Sequence, residues 1–155
     1  MLPQLFDALA ALGPHPSLGV HAETYGRLIG SWAGEVHDHT PLGVAVGPAE
    51  IHFAWVLEGR AVQDAWIVPS RAARGQGPAP LRCRYGTTLR VFHPSDQLWR
   101  VIWLNPVSGM RNDLVGRRVG ENVIHLGTRD GKPIRWSIIE IQPNAFRWQG
   151  HILEP

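Results

Sequence analysis

Apolar positions along this chain follow two different periods, and the change falls close to Thr24. Before that point, apolar residues recur at helical spacing until Gly13 and Pro14 interrupt the pattern, and they are Leu2, Leu5, Phe6, Leu9 and Leu12. This spacing predicts a short amphipathic helix over residues 3–12. The helix is expected to lie against the domain that follows or to cover its mouth.

After Thr24 apolar residues alternate with polar ones, and turn-forming residues recur at short intervals, which is the pattern of an all-β protein. Strands are predicted over residues 31–39, 49–57, 60–68, 82–92, 98–105, 112–119, 121–128, 134–141 and 145–152. A meander of this size tends to close on itself, because closure removes its exposed edges. The predicted fold is therefore an all-β, antiparallel up-and-down barrel over residues 28–152.

Length and composition bound the organisation of the chain. It has 155 residues, of which 44% are apolar and 18% charged, which fits one folded domain over residues 1–155. Cys83 is the only cysteine, so no intramolecular disulfide and no Cys-based metal site is expected. Cys83 is predicted to act as a small apolar side chain, and a cytoplasmic location is expected because nothing asks for an oxidising compartment.

The charge pattern argues against two classes of partner. The formal net charge is only +2, and every basic residue except Lys132 is a scattered arginine. The densest basic stretches, such as Arg82 with Arg84, lack the interleaved aromatics of a nucleic-acid groove. The N-terminal apolar segment is too short to cross a bilayer, and no basic residue precedes Arg27 as a signal peptide requires. Neither a nucleic acid nor a membrane is an expected partner.

The hairpin at Glu58 and Gly59 decides which residues of two neighbouring strands share a face. A two-residue turn would force a positive φ on Glu58, which is unfavourable. A three-residue loop, with Leu57 and Glu58 right-handed and Gly59 left-handed, suits these residues better. Val56 is then predicted to pair with Arg60.

Counting back from that turn places His52 opposite Asp64. The other face of the first strand is apolar and consists of Ile51, Phe53, Trp55 and Leu57. In one interpretation the apolar face lines the interior, and His52 with Asp64 is a solvated surface pair. In the other, the mixed face lines a cavity, where His52 acts as a general base oriented by Asp64 beside Trp66.

Glu35, His37 and His39 alternate along one predicted strand, so their side chains project from the same face. Two histidines at this spacing make half of a metal site, and a third ligand would have to come from a neighbouring strand. Because Trp32 is expected to point inward, the alternation puts all three outside, and no metal site is predicted. His125, in a later strand, is interpreted as an ordinary polar residue.

Tryptophans alternate along several predicted strands and are candidates for binding. Indole rings supply flat apolar walls, and Arg90 and Asn105 are candidates for the few oriented polar contacts that such a pocket needs. The predicted ligand-binding residues are Trp32, Trp66, Arg90, Trp103, Asn105, Trp136 and Trp148. The alternative is that the indoles simply form the core.

An ordered set of motifs resembles the small bacterial calycin-like, or lipocalin-like, β-barrel proteins of largely unassigned function. The motifs are Leu28-Ile29-Gly30-Ser31-Trp32-Ala33-Gly34, the stretch from Trp55 to Trp66, Tyr85-Gly86-Thr87-Thr88-Leu89-Arg90, Trp99-Arg100-Val101-Ile102-Trp103, Arg135-Trp136 and Phe146-Arg147-Trp148. The resemblance covers most of the chain from about residue 25. It implies a barrel with an internal pocket, and by itself it implies no reaction.

The chain departs from that family at its last residues. The family's proteins look as though they continue past the equivalent of residues 150–155 into one more hairpin strand, and this chain stops there. The resemblance therefore implies an open seam between the first and last strands, which exposes an edge to pairing or swapping. A homodimer is accordingly included among the expected partners.

Three functions remain open on the sequence. The first is binding of a small apolar or aromatic molecule in a Trp-lined cavity. The second is an acid–base enzyme, an isomerase, cyclase or lyase, with His52 as base and Asp64 orienting it. The third comes from a looser resemblance to nitrobindin-type haem barrels, which open with a pattern like that of Gly30 to Glu35. That resemblance implies haem as a cofactor with a late histidine as its ligand, and the only late histidine is His151. No other cofactor is expected.

Overall fold

The computed structural model describes residues 3–76 and 82–154, and these form a meander of antiparallel strands preceded by short helices. The helices are α1 (Gln4–Leu9) and α2 (Glu23–Gly26), with 3₁₀ turns at Pro16–Ala22 and Arg71–Ala73. The strands are β1 (Ala10–Ala11), β2 (Gly30–Thr40), β3 (Gly43–Val56), β4 (Ala61–Val68), β5 (Arg84–His93), β6 (Leu98–Asn105), β7 (Met110–Val119), β8 (Asn122–Arg129), β9 (Lys132–Gln142) and β10 (Ala145–Ile152). All the strands predicted from alternation are present, so the all-β prediction is confirmed.

Each strand from β3 to β10 pairs with the next one, which confirms the up-and-down order. On its other side β3 pairs with β2 and, further along, with the short β1. No ladder joins β2 to β10 in the part of the chain that the structure describes. The sheet is therefore a curled half-barrel with an open seam between its first and last long strands.

The concave face of the half-barrel carries most of the core. Ladder pairing sets Trp66 beside Ile51 and Asp64 beside Phe53, and the same alternation continues through the later strands. The predicted apolar face of β3 thus lines the interior, with the exception of Leu57, which lies in the turn and is exposed. All seven tryptophans lie on the concave face: Trp32, Trp55, Trp66, Trp99, Trp103, Trp136 and Trp148.

The N-terminal helix is shorter than predicted and covers no mouth. It ends at Leu9 because the chain then becomes extended and pairs with β3. Leu5 is 66% and Phe6 49% exposed, so the apolar stripe of α1 is not packed against the barrel. Leu18, Tyr25 and other residues further along are buried there instead. No helix among the described residues is long and apolar enough to cross a membrane.

The turn between β3 and β4 differs from the prediction by one residue. Val56 pairs with Ala61 rather than with Arg60, so the turn holds four residues, 57–60. Leu57 and Glu58 have φ values of 54° and 58°, in the left-handed region where right-handed conformations were predicted. The predicted pairing of Val56 with Arg60 is wrong, and with it the register of the whole hairpin.

The N-terminal segment holds this turn in place. The backbone N–H of Leu57 donates to the carbonyl of Leu9 at 2.9 Å, and the N–H of His15 donates to the carbonyl of Gly59 at 2.9 Å. The segment lies so close that a Cβ on Gly59 would be 2.1 Å from the carbonyl oxygen of Gly13. These tertiary contacts outweigh the local preferences from which the turn was predicted.

Candidate functional site

One end of the half-barrel is closed by the segment that precedes β2. Tyr25 is fully buried and meets Trp99 edge to face, with 4.9 Å between ring centroids. Leu18 and Leu28 are buried alongside, and Trp55 lies against Gly26, where a Cβ would come within 3.2 Å of the indole. We call this region the closed end, and its tight packing makes it core.

A carboxylate, Asp64, is buried on the concave face above the closed end. Its side chain is fully buried, and it accepts hydrogen bonds from Arg90 Nη2 at 2.7 Å and from the backbone N–H of Thr88 at 2.7 Å. It also accepts from Trp66 Nε1 at 3.1 Å. A buried charge is tolerated when it is paired and hydrogen-bonded, and Asp64 meets both conditions.

Arg90, the partner of Asp64, keeps unused donors. Its guanidinium is 5% exposed and lies near the rings of Tyr25 and Phe53, at 5.1 and 5.2 Å from their centroids. Within the described residues, its Nε and Nη1 are buried without a hydrogen-bond partner. Arg90 therefore keeps two buried donors that no group of the described residues uses.

A second polar pair lies below Arg90. Tyr25 Oη and His125 Nε2 are 2.8 Å apart, and His125 Nδ1 lies 3.2 Å from the carbonyl of Trp136. Since a carbonyl only accepts, Nδ1 carries the imidazole proton and Nε2 accepts from the tyrosine. Burial, assisted by the charge of Arg90, lowers the pKa of His125 to about 3, and burial raises that of Tyr25. Both groups are neutral at physiological pH and act as structural hydrogen-bonding groups.

Five aromatic rings lie where the two edges of the sheet approach each other. Trp32 of β2 meets Phe146 of β10 edge to face at 4.8 Å between centroids. Trp148 of β10 touches both Trp66 at 5.7 Å and Trp136 at 5.6 Å. We call these residues the seam cluster. It is less buried than the closed end, since Trp148 is 38% exposed and Trp32, Trp66 and Phe146 are half-buried.

The structure thus brings together four of the predicted binding residues, Trp32, Trp66, Trp136 and Trp148, with Arg90 connected to them through Asp64.

The two other predicted binding residues are placed differently. Trp103 is buried on the same face and packs over Gly86, where a Cβ would lie 2.5 Å from the indole. Asn105 is buried, and its side-chain oxygen accepts from the backbone N–H groups of Val107 and Tyr85 at 3.2 and 3.4 Å. Its amide nitrogen faces the carbonyl of Cys83 at 3.5 Å. Asn105 therefore fixes the ends of two strands, and its amide is already occupied.

Cys83 precedes β5 and is exposed. It is therefore not part of the apolar core, and the prediction that it acts as a small apolar side chain is not supported.

His52 and Asp64 do not meet, because the observed register puts them on opposite faces of the sheet. His52 pairs with Ala65, and Asp64 with Phe53. The prediction of a His52–Asp64 pair is therefore wrong, both as a catalytic dyad and as a surface pair. The geometry on which the acid–base enzyme depended is absent.

His52 belongs instead to a convex-face cluster. Its Nδ1 lies 2.8 Å from Ser31 Oγ, and its Nε2 lies 3.0 Å from Glu50 Oε1. Arg71 Nε also donates to Glu50 at 2.6 Å. Hydrogen bonds from His52 and from the Arg71 backbone lower the pKa of Glu50 to about 2. This cluster joins the 3₁₀ turn after β4 to the edge of the sheet.

The two histidines of β2 do not reach the concave face. His37 and His39 are exposed as predicted, with His37 Nε2 2.6 Å from Glu35 Oε1. No group of three or more His, Cys, Asp or Glu in the described ranges has the geometry of a metal site.

The residues do not fit a haem. His151 alternates with Gly150 and so points to the convex face, where it is exposed. The strand histidine on the concave face, His125, has both ring nitrogens engaged. The chain therefore presents no strand histidine with a free nitrogen to the interior, as far as the described residues show.

Sequence reasoning missed Tyr25 and His125. The signal for His125 was its alternation with Val123 and Gly127 on a half-buried strand, which marks it as an inward residue. Tyr25 lies in an irregular segment ahead of the barrel, and no periodicity distinguishes it.

No family model matches this chain, and neither the curated proteins nor the solved structures contain a significant match to it. Its fold and its side-chain geometry are therefore the basis for any functional conclusion.

Proposed function

We propose that this protein binds a small apolar or aromatic molecule on its concave face, against the seam cluster. The observation that carries the proposal is the partial exposure of the rings there. Indoles that serve only as core are buried, as Trp99 is at 1% exposure, whereas Trp148 is 38% exposed on the same face. Concave apolar surface with a few convergent polar groups is the usual form of a small-molecule site.

The polar contact in this proposal comes from Arg90. Its guanidinium lies close to the indole of Trp66, because Arg90 Nη2 and Trp66 Nε1 donate to the same oxygen of Asp64, and its Nε and Nη1 have no partner among the described residues. A ligand with a neutral acceptor, such as a carbonyl or hydroxyl oxygen, would satisfy Arg90 without opposing the Asp64 charge. The ligand class is therefore an apolar or aromatic body with one such acceptor.

The half-barrel supports a relationship to the calycin-like proteins as part of the same proposal. A curled antiparallel meander with its aromatic residues turned inward is compatible with that fold class, and proteins of that architecture commonly hold small molecules inside. The proposal itself depends on the rings and not on the relationship.

The test uses the neutral fluorescent probe N-phenyl-1-naphthylamine, whose emission rises in an apolar site. Trp148→Ala is expected to weaken probe binding about tenfold, because it removes most of one aromatic contact surface. Leu126→Ala is the matched control, since Leu126 is an exposed apolar residue on the convex face of β8. Native mass spectrometry of the freshly purified protein would identify any molecule that it retains.

Equal probe affinities for Trp148→Ala, Leu126→Ala and the unmodified protein would refute the proposal, provided that circular dichroism shows all three to be folded. Loss of binding in both variants would point to nonspecific adsorption and would refute it as well.

A further inference from the structure

Strands β7 and β8 separate at one end of the half-barrel. Their ladder begins at the pair Leu114 and Gly127, so no pairing joins residues 110–113 to residues 128–129. At Gly127 itself the two strands are still close, since a Cβ there would lie 2.6 Å from the carbonyl oxygen of Asp113. The gap between the strands opens into a groove of about 370 Å³.

We call this groove the notch. Its walls are Ser108, Gly109, Met110, Arg111, Asn112, Thr128, Arg129 and Asp130. Backbone groups of both strands face it without a ladder partner across the gap. The notch therefore offers hydrogen-bonding groups that a polar molecule, or water, must satisfy.

The notch has two arginines, and Arg129 is the one that forms no ion pair among the described residues, since Arg111 is paired with Asp113. Arg129 alternates with Gly127 onto the concave side, and its Nη2 donates to Asn112 Oδ1 at 3.1 Å. Its Nε is buried without a hydrogen-bond partner, and Arg129 forms no ion pair with a carboxylate of the described residues. The half-buried guanidinium thus keeps donor capacity that the described residues do not use.

The surrounding charges do not neutralise Arg129. Burial lowers the pKa of its guanidinium, the charges of Arg82 and Arg84 lower it further, and Asp130 opposes them. Arg84 has its own partner in Asp38.

The other acid near the notch, Asp113, is bound to Arg111 at 3.2 Å. Asp130 is the only carboxylate among the residues that line the notch.

The geometry points to an oxyanion-binding site in the notch, and we propose that Arg129 holds a carboxylate or phosphate group there, with Asn112 and Ser108 beside it. A guanidinium matches the two oxygens of such a group in a fixed fork, and partial burial strengthens the pair. The anion is either a free inorganic ion or the acid group of an organic molecule. This site is separate from the seam cluster and does not depend on the apolar ligand proposed above.

The experiment titrates the purified protein with inorganic phosphate and, separately, with benzoate, and follows both by calorimetry. Arg129→Gln is expected to weaken binding of the preferred anion about tenfold or more, because it removes a charge-assisted pair. Arg129→Lys, which keeps the charge but loses the fork, is expected to recover part of the affinity. Arg117→Gln is the matched control, since Arg117 is exposed on β7 of the same sheet.

If benzoate binds more tightly than phosphate, the anion that the notch holds is the acid group of an organic molecule. If phosphate binds more tightly, it is a free inorganic ion. Either result supports the proposed site. If Arg129→Gln does not fold, amide NMR of the unmodified protein replaces it, and both anions should then shift signals from residues 108–113 and 128–130. The proposal would be overturned if neither anion binds, or if Arg129→Gln and Arg117→Gln lose the same amount of anion affinity.

Discussion

The closed end and the seam cluster are built from the same residue types on the same face of one sheet, yet they differ in how completely their rings are enclosed. At the closed end Trp99 and Tyr25 are fully enclosed, and the hydroxyl of Tyr25 has a partner in His125. In the seam cluster Trp148 is more than a third exposed, and no backbone ladder among the described residues holds its strand to β2. Residue type alone thus does not separate the core from the proposed site, whereas enclosure distinguishes the two regions.

The comparison is tested most directly by removing one indole from each region. Trp99→Ala is expected to lower the free energy of unfolding by about 3–5 kcal/mol, since it leaves a large cavity in a closed core. Trp148→Ala is expected to cost about 1 kcal/mol, because its ring is already partly in water. Urea denaturation would measure both. Similar losses would mean that the seam cluster is as much a part of the core as the closed end.

Asp64 links the two regions, because it accepts hydrogen bonds both from Arg90, which lies against Tyr25, and from Trp66 of the seam cluster. The substitution Asp64→Asn tests this link. The substitution leaves the buried Arg90 guanidinium without a counter-charge and is expected to destabilise the protein by about 3 kcal/mol. Glu58→Gln is the control, because the pair of Glu58 with Arg60 is exposed, and it should change the midpoint of unfolding very little. A tolerated Asp64→Asn would show that Arg90 does not depend on this partner.

The polar pair below Arg90 is tested by Tyr25→Phe. This change removes the donor to His125 Nε2 and keeps the ring, so a loss of about 1–2 kcal/mol is expected on thermal or urea unfolding. Tyr85→Phe provides the comparison, since Tyr85 is 43% exposed. Equal effects of the two would contradict a buried hydrogen bond at Tyr25.

The last prediction concerns pH, and its effect develops gradually on acidification. The pKa of His125 is about 3 in the folded protein against 6.5 ordinarily, so between these values the unfolded chain binds the extra proton. Stability contributed by neutral His125 is therefore full well above pH 6.5 and falls on acidification towards pH 3, by about 1.4 kcal/mol per pH unit between these values. Urea unfolding at pH 7 and pH 5 should show a weaker pH dependence for His125→Gln than for the unmodified protein. If the free energy of unfolding changes equally with pH in both proteins, His125 is not the cause of the pH dependence.

Much of the fold follows from local patterns. The strands over 98–105 and 145–152 were predicted with the bounds that the structure gives, because period-two alternation bounded by turn residues is a strong signal. In one of the two interpretations of the hairpin Ile51, Phe53 and Trp55 face inward, and the structure confirms that interpretation. The predicted register put Trp66 on the opposite face from these residues, so its position beside them follows from the observed register and not from the alternation alone.

The features that were not predicted from the sequence depend on contacts between residues far apart in the chain. The turn at 57–60 takes its length from the N-terminal segment bonded to Leu57 and Gly59, and a shift of one residue moved His52 to the opposite face from Asp64. The polar pair of Tyr25 and His125 joins residues 100 positions apart. No local rule connects such distant residues.

The seam has a mechanical consequence. Backbone ladders hold neighbouring strands at a fixed spacing of about 4.8 Å, whereas β2 and β10 are joined through the rings of Trp32 and Phe146. Ring contacts have no fixed repeat, and a rotamer change costs far less than breaking a row of hydrogen bonds. The seam is therefore the compliant element of an otherwise stiff sheet, and the width of the concave face adjusts there first.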